Sequence, residues 1–293
     1  MTLEQLRVFV AVAERQHMTR AAEALHLAQS AVSASIATLE ARHGAKLFHR
    51  VGRGIELTGA GELFLIEAKA VLARAEAADL VLSELGGLKR GILTLQASQT
   101  IASFWLPRYL VAFRRAHPGV DVKLSIGNTT QAAAAVRSGA AELGFVEAEV
   151  DDPLLIGKAL AQDQLIIVVG NDHPWARRDS IKPQEIIESE WVLREPGSGT
   201  RSVFERALIG FGLQPDALRI GLELPSNESV LAAVEAGMGA AALSASAVVA
   251  GIEAGLLVHV KLPLPSRSFF VLQHAERYHS NAADALIKTL THR

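Results

Sequence analysis

The first sixty residues alternate short amphipathic runs with polar breaks. Leu6, Phe9, Val10 and Ala13 recur at helical spacing and predict a first helix over residues 3–14 with one buried stripe. Ala21, Ala22 and Leu25 open a second run. Val32, Ile36 and Leu39, at i, i+4 and i+7, form the buried face of a third, and the short break His26-Leu27-Ala28 separates the two. Two short helices joined this tightly make a helix-turn-helix pattern, whose second helix can enter a DNA major groove. Thr19 stands where its hydroxyl can cap the first helix of the pair. The remaining faces of the second carry Gln29, Ser30, Ser33 and Ser35, all short hydrogen-bonding groups. An ordinary helical hairpin with a solvated polar face would fit residues 19–43 equally well. The flank favours DNA: GAKLFHRVGRGIELTGAG reads as a β-wing bearing Arg50 and Arg53, closed by Thr58 as the cap of the next helix.

From Thr58 to about Leu85 the pattern changes to a long helix without proline. Phe64, Ala68, Val71, Ala75, Ala78, Leu82 and Leu85 are spaced 4-3-4-3-4-3, an a/d seam that expects a facing helix. Gly86-Gly87 ends it and Lys89-Arg90-Gly91 makes a polar hinge. Beyond Ile92, ILTLQAS, VDVKLSIG and AELGFVEA alternate as strands with the helical runs FWLPRYLVAFRRAHP and TQAAAAVRSG. Near Leu160 a second series begins: strand QLIIVVG, a helix at 183–189, strand WVLRE, helix SGTRSVFERALIGFG, strand LRIGLEL, helix SVLAAVEAG and strand AAALSA. Such alternation gives a mostly parallel sheet covered by helices. AAAVRSGAAELGFV at 133–146 is echoed by LAAVEAGMGAAALS at 231–244, with Gly139 and Gly237 ending the helices, so two related subdomains are expected. The strand SFFVLQH and the helix from Asn281 return to the first.

Four polar clusters recur directly after a strand and before a helix: Ser98-Gln99-Thr100, Asn128-Thr129-Thr130, Ser198-Gly199-Thr200 and Ser226-Asn227. Ligands of open α/β sheets bind beyond the carboxyl ends of strands, where helix N-termini favour anions. Each cluster alone reads as helix capping; the four together, two per subdomain, predict a cleft for a small anionic metabolite. In REPGSGTR the glycines allow close backbone approach, and Arg201 or Arg194 can supply a full charge.

The chain has 293 residues, too many for one small domain, and a formal net charge of −2. Residues 1–57 hold seven Lys or Arg against five Asp or Glu, a small local excess of positive charge of the kind phosphate contact needs. There is no cysteine, which excludes disulfides and thiolate chemistry. Without a signal-peptide core a cytoplasmic location is expected, and the apolar stretch 230–250, interrupted by Glu235, reads as buried helix plus strand rather than a membrane span. No HExxH or GxSxG is present, and PGSGTR is too short for a phosphate loop and lacks its Lys. Glu147, Glu149, Asp151 and Asp152 read as a solvated turn, and His117 and His173 as turn residues. No catalytic residue, metal site or cofactor is expected.

The ordered pieces LEQLRVFVAVAE, TRAAEALHL, QSAVSASIATLEARHG, KLFHR and LTGAG, from Leu3 to Gly61, resemble the N-terminal domain of LysR-type transcriptional regulators. Ala28 and Ala34 depart from it, standing where many members have Ser or Thr and Arg. The resemblance implies that the long helix pairs two DNA-binding domains, and that the α/β region is a two-lobed effector domain like periplasmic solute-binding proteins. It also implies a tetramer that touches two sites. The expected organisation is a winged helix-turn-helix over 1–58, a linker and dimerisation helix with hinge over 59–89, and an α/β effector domain over 90–293. Its lobe I spans about 90–160 and 266–293, its lobe II about 161–265. The expected function is transcription regulation on double-stranded DNA with a pseudo-palindromic site, by a homo-oligomer paired through 59–85. Gln29, Ser30, Ser33 and Ser35 are the candidates for base or phosphate contact, with Arg20, Arg50 and Arg53 for the phosphates or minor groove. Ser98, Gln99, Thr100, Asn128, Thr129, Ser198, Thr200, Arg201, Ser226 and Asn227 are the candidates for the metabolite. The competing class is a small-molecule binding protein without transcriptional activity.

Overall fold

The computed structural model describes residues 1–51, 54–85 and 91–291, the side chains of 77, 80 and 83–85 excepted. Arg53, the Leu85 side chain, the Gly86-Gly87 stop and the Lys89-Arg90 part of the hinge lie outside the described residues. The chain divides into two compact units near residue 88.

The first unit contains α1 (Leu3–Arg15), α2 (Met18–Leu25), α3 (Gln29–His43), an antiparallel pair β1 (Phe48–Val51) and β2 (Gly54–Leu57), and α4 (Gly59–Leu85). Thr2 and Gln5 form a reciprocal capping box that starts α1. Leu6, Phe9 and Ala13 of the predicted stripe are buried with Ala21, Ala22, Val32, Ile36 and Leu39, while Val10 is only partly buried and Val12 takes its place in the core. The Phe9 ring lies between Phe48 and Phe64, with centroids 5.4 and 4.7 Å away. One expectation fails: Thr19 does not cap α2. Gln16 turns left-handed at the end of α1, so the next extended residue is His17, and its Nδ1 accepts the Arg20 N–H at 3.4 Å. Thr58 does cap α4, accepting the Gly61 N–H at 3.0 Å while donating to the Lys46 carbonyl at 2.6 Å.

The seam along α4 splits. Phe64 and Ala68 face inward, Ala68 buried in the unit's own core, whereas Val71, Ala78 and Leu82 are exposed. The first repeat of the a/d pattern therefore packs on the helix's own domain, and only the later positions stay open to a partner.

The second unit is one sheet running β4-β3-β5-β11-β6-β9-β7-β8, with β10 (Leu257–Val260) beside β6. Strands β3 (Gly91–Ser98), β4 (Val120–Gly127) and β5 (Leu143–Val146) are parallel, and so are β7 (Glu190–Arg194), β8 (Arg219–Leu224) and β9 (Ala240–Ser244). Two long antiparallel strands, β6 (Leu155–Gly170) and β11 (Ser266–His274), join these halves. Each half has its own cores. Leu93, Leu95, Phe113, Leu143 and Phe145 pack with α10 (Asn281–Thr291) in the first; Ile167, Trp175, Trp191 and Phe204 pack in the second. The two-lobed α/β expectation holds, including the return of the C-terminal helix to the first lobe. Helices α6 (Thr129–Ser138) and α8 (Asn227–Glu235) each end in a left-handed glycine, Gly139 at φ 85° and Gly237 at φ 93°, the echo read in the sequence.

Other elements differ from expectation. FWLPRYLVAFRRAHP is broken: a π-helical turn covers Ile101–Trp105, and α5 (Pro107–Ala116) starts afresh at a proline that has no N–H to continue the earlier turn. The helix expected at 183–189 is present as a 3-10 helix, Pro183–Glu188. Strand β6 begins nine residues before the apolar run, because its first part is held by pairing with β11 rather than by a buried face. Helix α9 (Ala245–Glu253) and β10 were not expected. No helix among the described residues is long and apolar enough to cross a membrane.

Candidate nucleic-acid interface and ligand cleft

Helix α3 presents its polar face outward. Gln29 and Ser30 are exposed, Ser33 and Ser35 half-buried. Gln29 Nε2 donates to Ser33 Oγ at 2.8 Å, which holds the amide along the helix surface. Ala28, the N-cap residue, makes no side-chain cap bond. Arg20 on α2 and Arg50 on β1 are exposed.

The wing is tied to α3 by a residue the sequence reading passed over. Glu40 is 8% exposed. Its carboxylate accepts the Leu47 and Phe48 N–H groups at 2.8 and 3.2 Å and pairs with Lys46 Nζ at 2.7 Å. Burial works against its ionisation, yet the Lys46 ammonium and the two N–H donors outweigh it and hold the carboxyl below the usual carboxylate range. The available signal was position 40 falling four residues after Ile36, on the core stripe. A second tie is steric. A Cβ on Gly61 would stand 2.1 Å from the Leu47 carbonyl oxygen, so the start of α4 approaches the wing more closely than any side chain permits.

In the second unit the four clusters meet in pairs across the lobes. Gln99 Oε1 accepts the Asn227 N–H at 2.6 Å, and Thr100 Oγ1 accepts from Asn227 Nδ2 at 3.1 Å. Asn128 Nδ2 donates to Glu195 at 3.2 Å, and the Thr130 N–H reaches the Gly197 carbonyl. A Cβ on Gly199 would lie 2.6 Å from Thr129 Oγ1 and 2.8 Å from Glu147 Oε2. Ser98, Thr100, Ser198, Thr200 and Asn227 are all buried. Some of the predicted residues also serve as caps: Ser226 Oγ accepts the Ser229 N–H that starts α8, and Asn128 Oδ1 accepts the Gln131 N–H in α6. Ser198, at the head of α7 (Gly199–Gly210), makes no side-chain cap bond.

Both arginines expected to supply positive charge have carboxylate partners. Arg201 turns away to Glu205 at 2.8 Å and Glu223 at 2.5 Å. Arg194 is chelated by Glu195, with Nε to Oε2 at 2.8 Å and Nη2 to Oε1 at 3.1 Å, and its Nη1 donates to Asn227. Among the described residues, the buried cation with an unpartnered nitrogen is Arg267 on β11, 5% exposed. Its Nε donates to Asp163 Oδ2 at 2.7 Å and its Nη1 to Thr200 Oγ1 at 3.1 Å, while Nη2 has no partner. Asp163 in turn accepts from Ser244 Oγ at 2.7 Å. Ser98 Oγ and Arg267 Nη2 are the buried side-chain atoms without a hydrogen bond among the described residues. Such groups are rare in native interiors and cost about 1–3 kcal/mol each when left unmade. Arg267 was missed because a lone basic residue in a strand reads as exposed; its alternation with the buried Phe269 was the available signal.

The acidic turn also needs correcting. Glu149 and Asp151 are exposed, and Asp152 accepts the Leu154 N–H at 2.9 Å, but Glu147 is 3% exposed and faces Thr129. His117 and His173 have the turn roles expected, ending α5 and capping the 3-10 turn Pro174–Arg177.

Two family models match the chain. "Bacterial regulatory helix-turn-helix protein, lysR family" covers residues 3–62, and "LysR substrate binding domain" covers residues 86–293. A "Probable RuBisCO transcriptional regulator" of Cyanophora paradoxa is 33% identical over 287 residues, 96% of this chain and 89% of that protein. The full-length CbnR crystal structure complexed with target DNA is similar at TM-score 0.71 and 24% identity, covering 99% of each chain. The regulatory domain of Synechocystis PCC6803 CcmR in complex with 2-PG is similar at TM-score 0.63 and 24% identity, over 69% of this chain and 96% of that one.

Proposed function

This chain belongs to the LysR family of transcriptional regulators, a helix-turn-helix domain followed by an effector-binding domain, and from that premise we propose that a small anionic metabolite bound between the two lobes controls its grip on promoter DNA. The observation that carries the reading is the buried, unpartnered Nη2 of Arg267, beside Thr200 at the head of α7. A guanidinium N–H can only donate, so what completes it is an acceptor, and a helix N-terminus adds partial positive charge to the same place. Ser98 Oγ, at the carboxyl end of β3, is a second buried group without a partner. Support by likeness comes from CcmR, whose regulatory domain takes 2-PG.

The DNA half rests on α3. Gln29 and Ser30 lead it with exposed hydrogen-bonding groups, and Arg20 and Arg50 flank it. In this reading Gln29, Ser30, Ser33 and Ser35 meet base edges or phosphates, and the arginines, Arg53 included, neutralise phosphate. CbnR, similar over its whole length, binds a target DNA. Two copies paired through 59–85 present two α3 helices to half-sites about one helical turn apart, and two such pairs make a tetramer on two sites. The metabolite acts by binding one shape of the tetramer better than the other.

The test is a gel shift of the full chain on genomic fragments, with and without candidate anions, paired with melting curves in the same anions. The reading expects bound fragments and an anion that raises the melting temperature. A chain that retained no fragment would be the binding protein without transcriptional activity. A melting temperature that no anion moved would remove the metabolite.

A further inference from the structure

Every buried cation of the cleft already has a carboxylate partner: Arg194 has Glu195, and Arg267 has Asp163. One buried carboxylate does not fit this pairing. Glu147, at the carboxyl end of β5, has its carboxylate 3.5 Å from Thr129 Oγ1, and no Lys, Arg or His pairs with it among the described residues. Its Oε2 lies against Gly199, the first residue of α7, while Arg267 holds the next residue, Thr200. Glu147 and Arg267 also wall one cavity of 520 Å³, together with Val203, Phe211 and Phe270, with Arg206 and Glu149 at its exposed rim. That volume falls within the range of small-ligand sites.

A bare anion would suit Arg267 and be repelled by Glu147. An ammonium would suit Glu147 and leave Arg267 Nη2 and its donor hydrogens unmet. A molecule with both ends satisfies both residues. Building on the anionic-metabolite reading, we propose that the effector is bifunctional: a carboxylate or phosphate received by Arg267 Nη2 beside the head of α7, and a hydroxyl or ammonium donor on the same molecule received by Glu147. Glu147 is then the specificity-determining residue. It rejects plain anions by charge and admits those that bring a donor, since a buried acceptor left unpaired discriminates more strongly than a change of shape.

The experiment measures dissociation constants for four probes by thermal-shift titration of the full chain at constant ionic strength. The probes are propionate, lactate, alanine and inorganic phosphate; the first three differ only in whether carbon 2 bears hydrogen, hydroxyl or ammonium. Lactate and alanine are expected to bind at least five-fold more tightly than propionate. Glu147→Gln is expected to remove alanine's advantage and to tighten phosphate several-fold. Arg267→Lys keeps a cation for Asp163 but loses the free N–H, and is expected to weaken every probe at least ten-fold. Equal binding of propionate, lactate and alanine, or probe preferences unchanged in Glu147→Gln, overturns the bifunctional ligand while leaving the anionic reading in place. If none of the four probes shifts the protein, the anionic reading falls as well.

Discussion

Gln29 and Ser30 stand exposed on α3 in the first unit, while Ser98, Thr100, Ser198, Thr200 and Asn227 in the second are each at most 2% exposed. Both sets are polar side chains near helix N-termini, the first singled out by helical periodicity and the second by its place between strand and helix. Their surroundings differ. On α3 the groups are open to solvent, and in the proposed reading a large, highly charged partner covers them. In the cleft the groups are buried: Thr100 bonds Asn227 across the lobes and Thr200 bonds Arg267, with Ser98 Oγ and Arg267 Nη2 left over. If both proposed roles hold, a duplex is met by an exposed polar surface, whereas a small ligand is met by a buried hydrogen-bond network that lacks a partner at Ser98 Oγ and Arg267 Nη2.

The largest effect that separates the two regions is expected from Arg267→Met. It strands Asp163 beside Ser244 in the interior, and breaking a buried pair this way costs about 3–5 kcal/mol. All three tryptophans, Trp105, Trp175 and Trp191, belong to the second unit. Urea unfolding followed by tryptophan fluorescence should therefore register the whole loss. Gly61→Ala is the counterpart in the first unit. Its Cβ would stand 2.1 Å from the Leu47 carbonyl, and the forced shift is expected to cost about 1–3 kcal/mol. DNA binding in an anisotropy assay should fall while the tryptophan transition keeps its midpoint.

Glu40→Gln breaks the same tie electrostatically, with an expected cost of about 1–3 kcal/mol at neutral pH. The sign of its pH dependence follows from the depressed carboxyl. A folded-state value below the ordinary 4.5 means that the ionised form stabilises the fold above that pH, and that this is lost as pH falls through the folded value. The wild type should lose helical circular dichroism of its first unit between neutral and acid pH more steeply than the variant. Gln29→Ala leaves stability alone and changes discrimination between a bound and a scrambled duplex by about 1–3 kcal/mol at most. The smallest effect is expected from Arg50→Ala: weaker binding to every duplex alike, with the salt slope reduced by about one. A sequence-specific loss in that variant would reverse the roles given to wing and helix.

The helices of the first unit were legible because their stripes carry a clean period: Val32, Ile36 and Leu39 on α3, Leu6 and Phe9 on α1. The caps were less so. Thr19 and His17 both offer an acceptor, and only the left-handed turn at Gln16 decides between them. In the second unit the strand-to-helix clusters announced themselves through polar residues at fixed places in the alternation. Glu147 and Arg267 did not: the alternation of Arg267 with Phe269 was the one hint of its burial, and its pairing with Asp163 happens across 104 residues. Nor could the sequence tell which arginine stays unsatisfied: Arg201 lies nearer the helix head, but Glu205 one turn on and Glu223 on β8 claim it.

The most direct test is hydrogen exchange on the full chain, once with a duplex recovered from genomic fragments and once with 3-phosphoglycerate, which carries carboxylate, phosphate and hydroxyl. The account predicts that the duplex slows exchange in α3 and the wing. The anion should slow it at the ends of β3 and β5, the head of α7 and the start of β11. Protection by the anion that bypassed Thr200 and Arg267, or by the duplex that bypassed Gln29–His43, would contradict it.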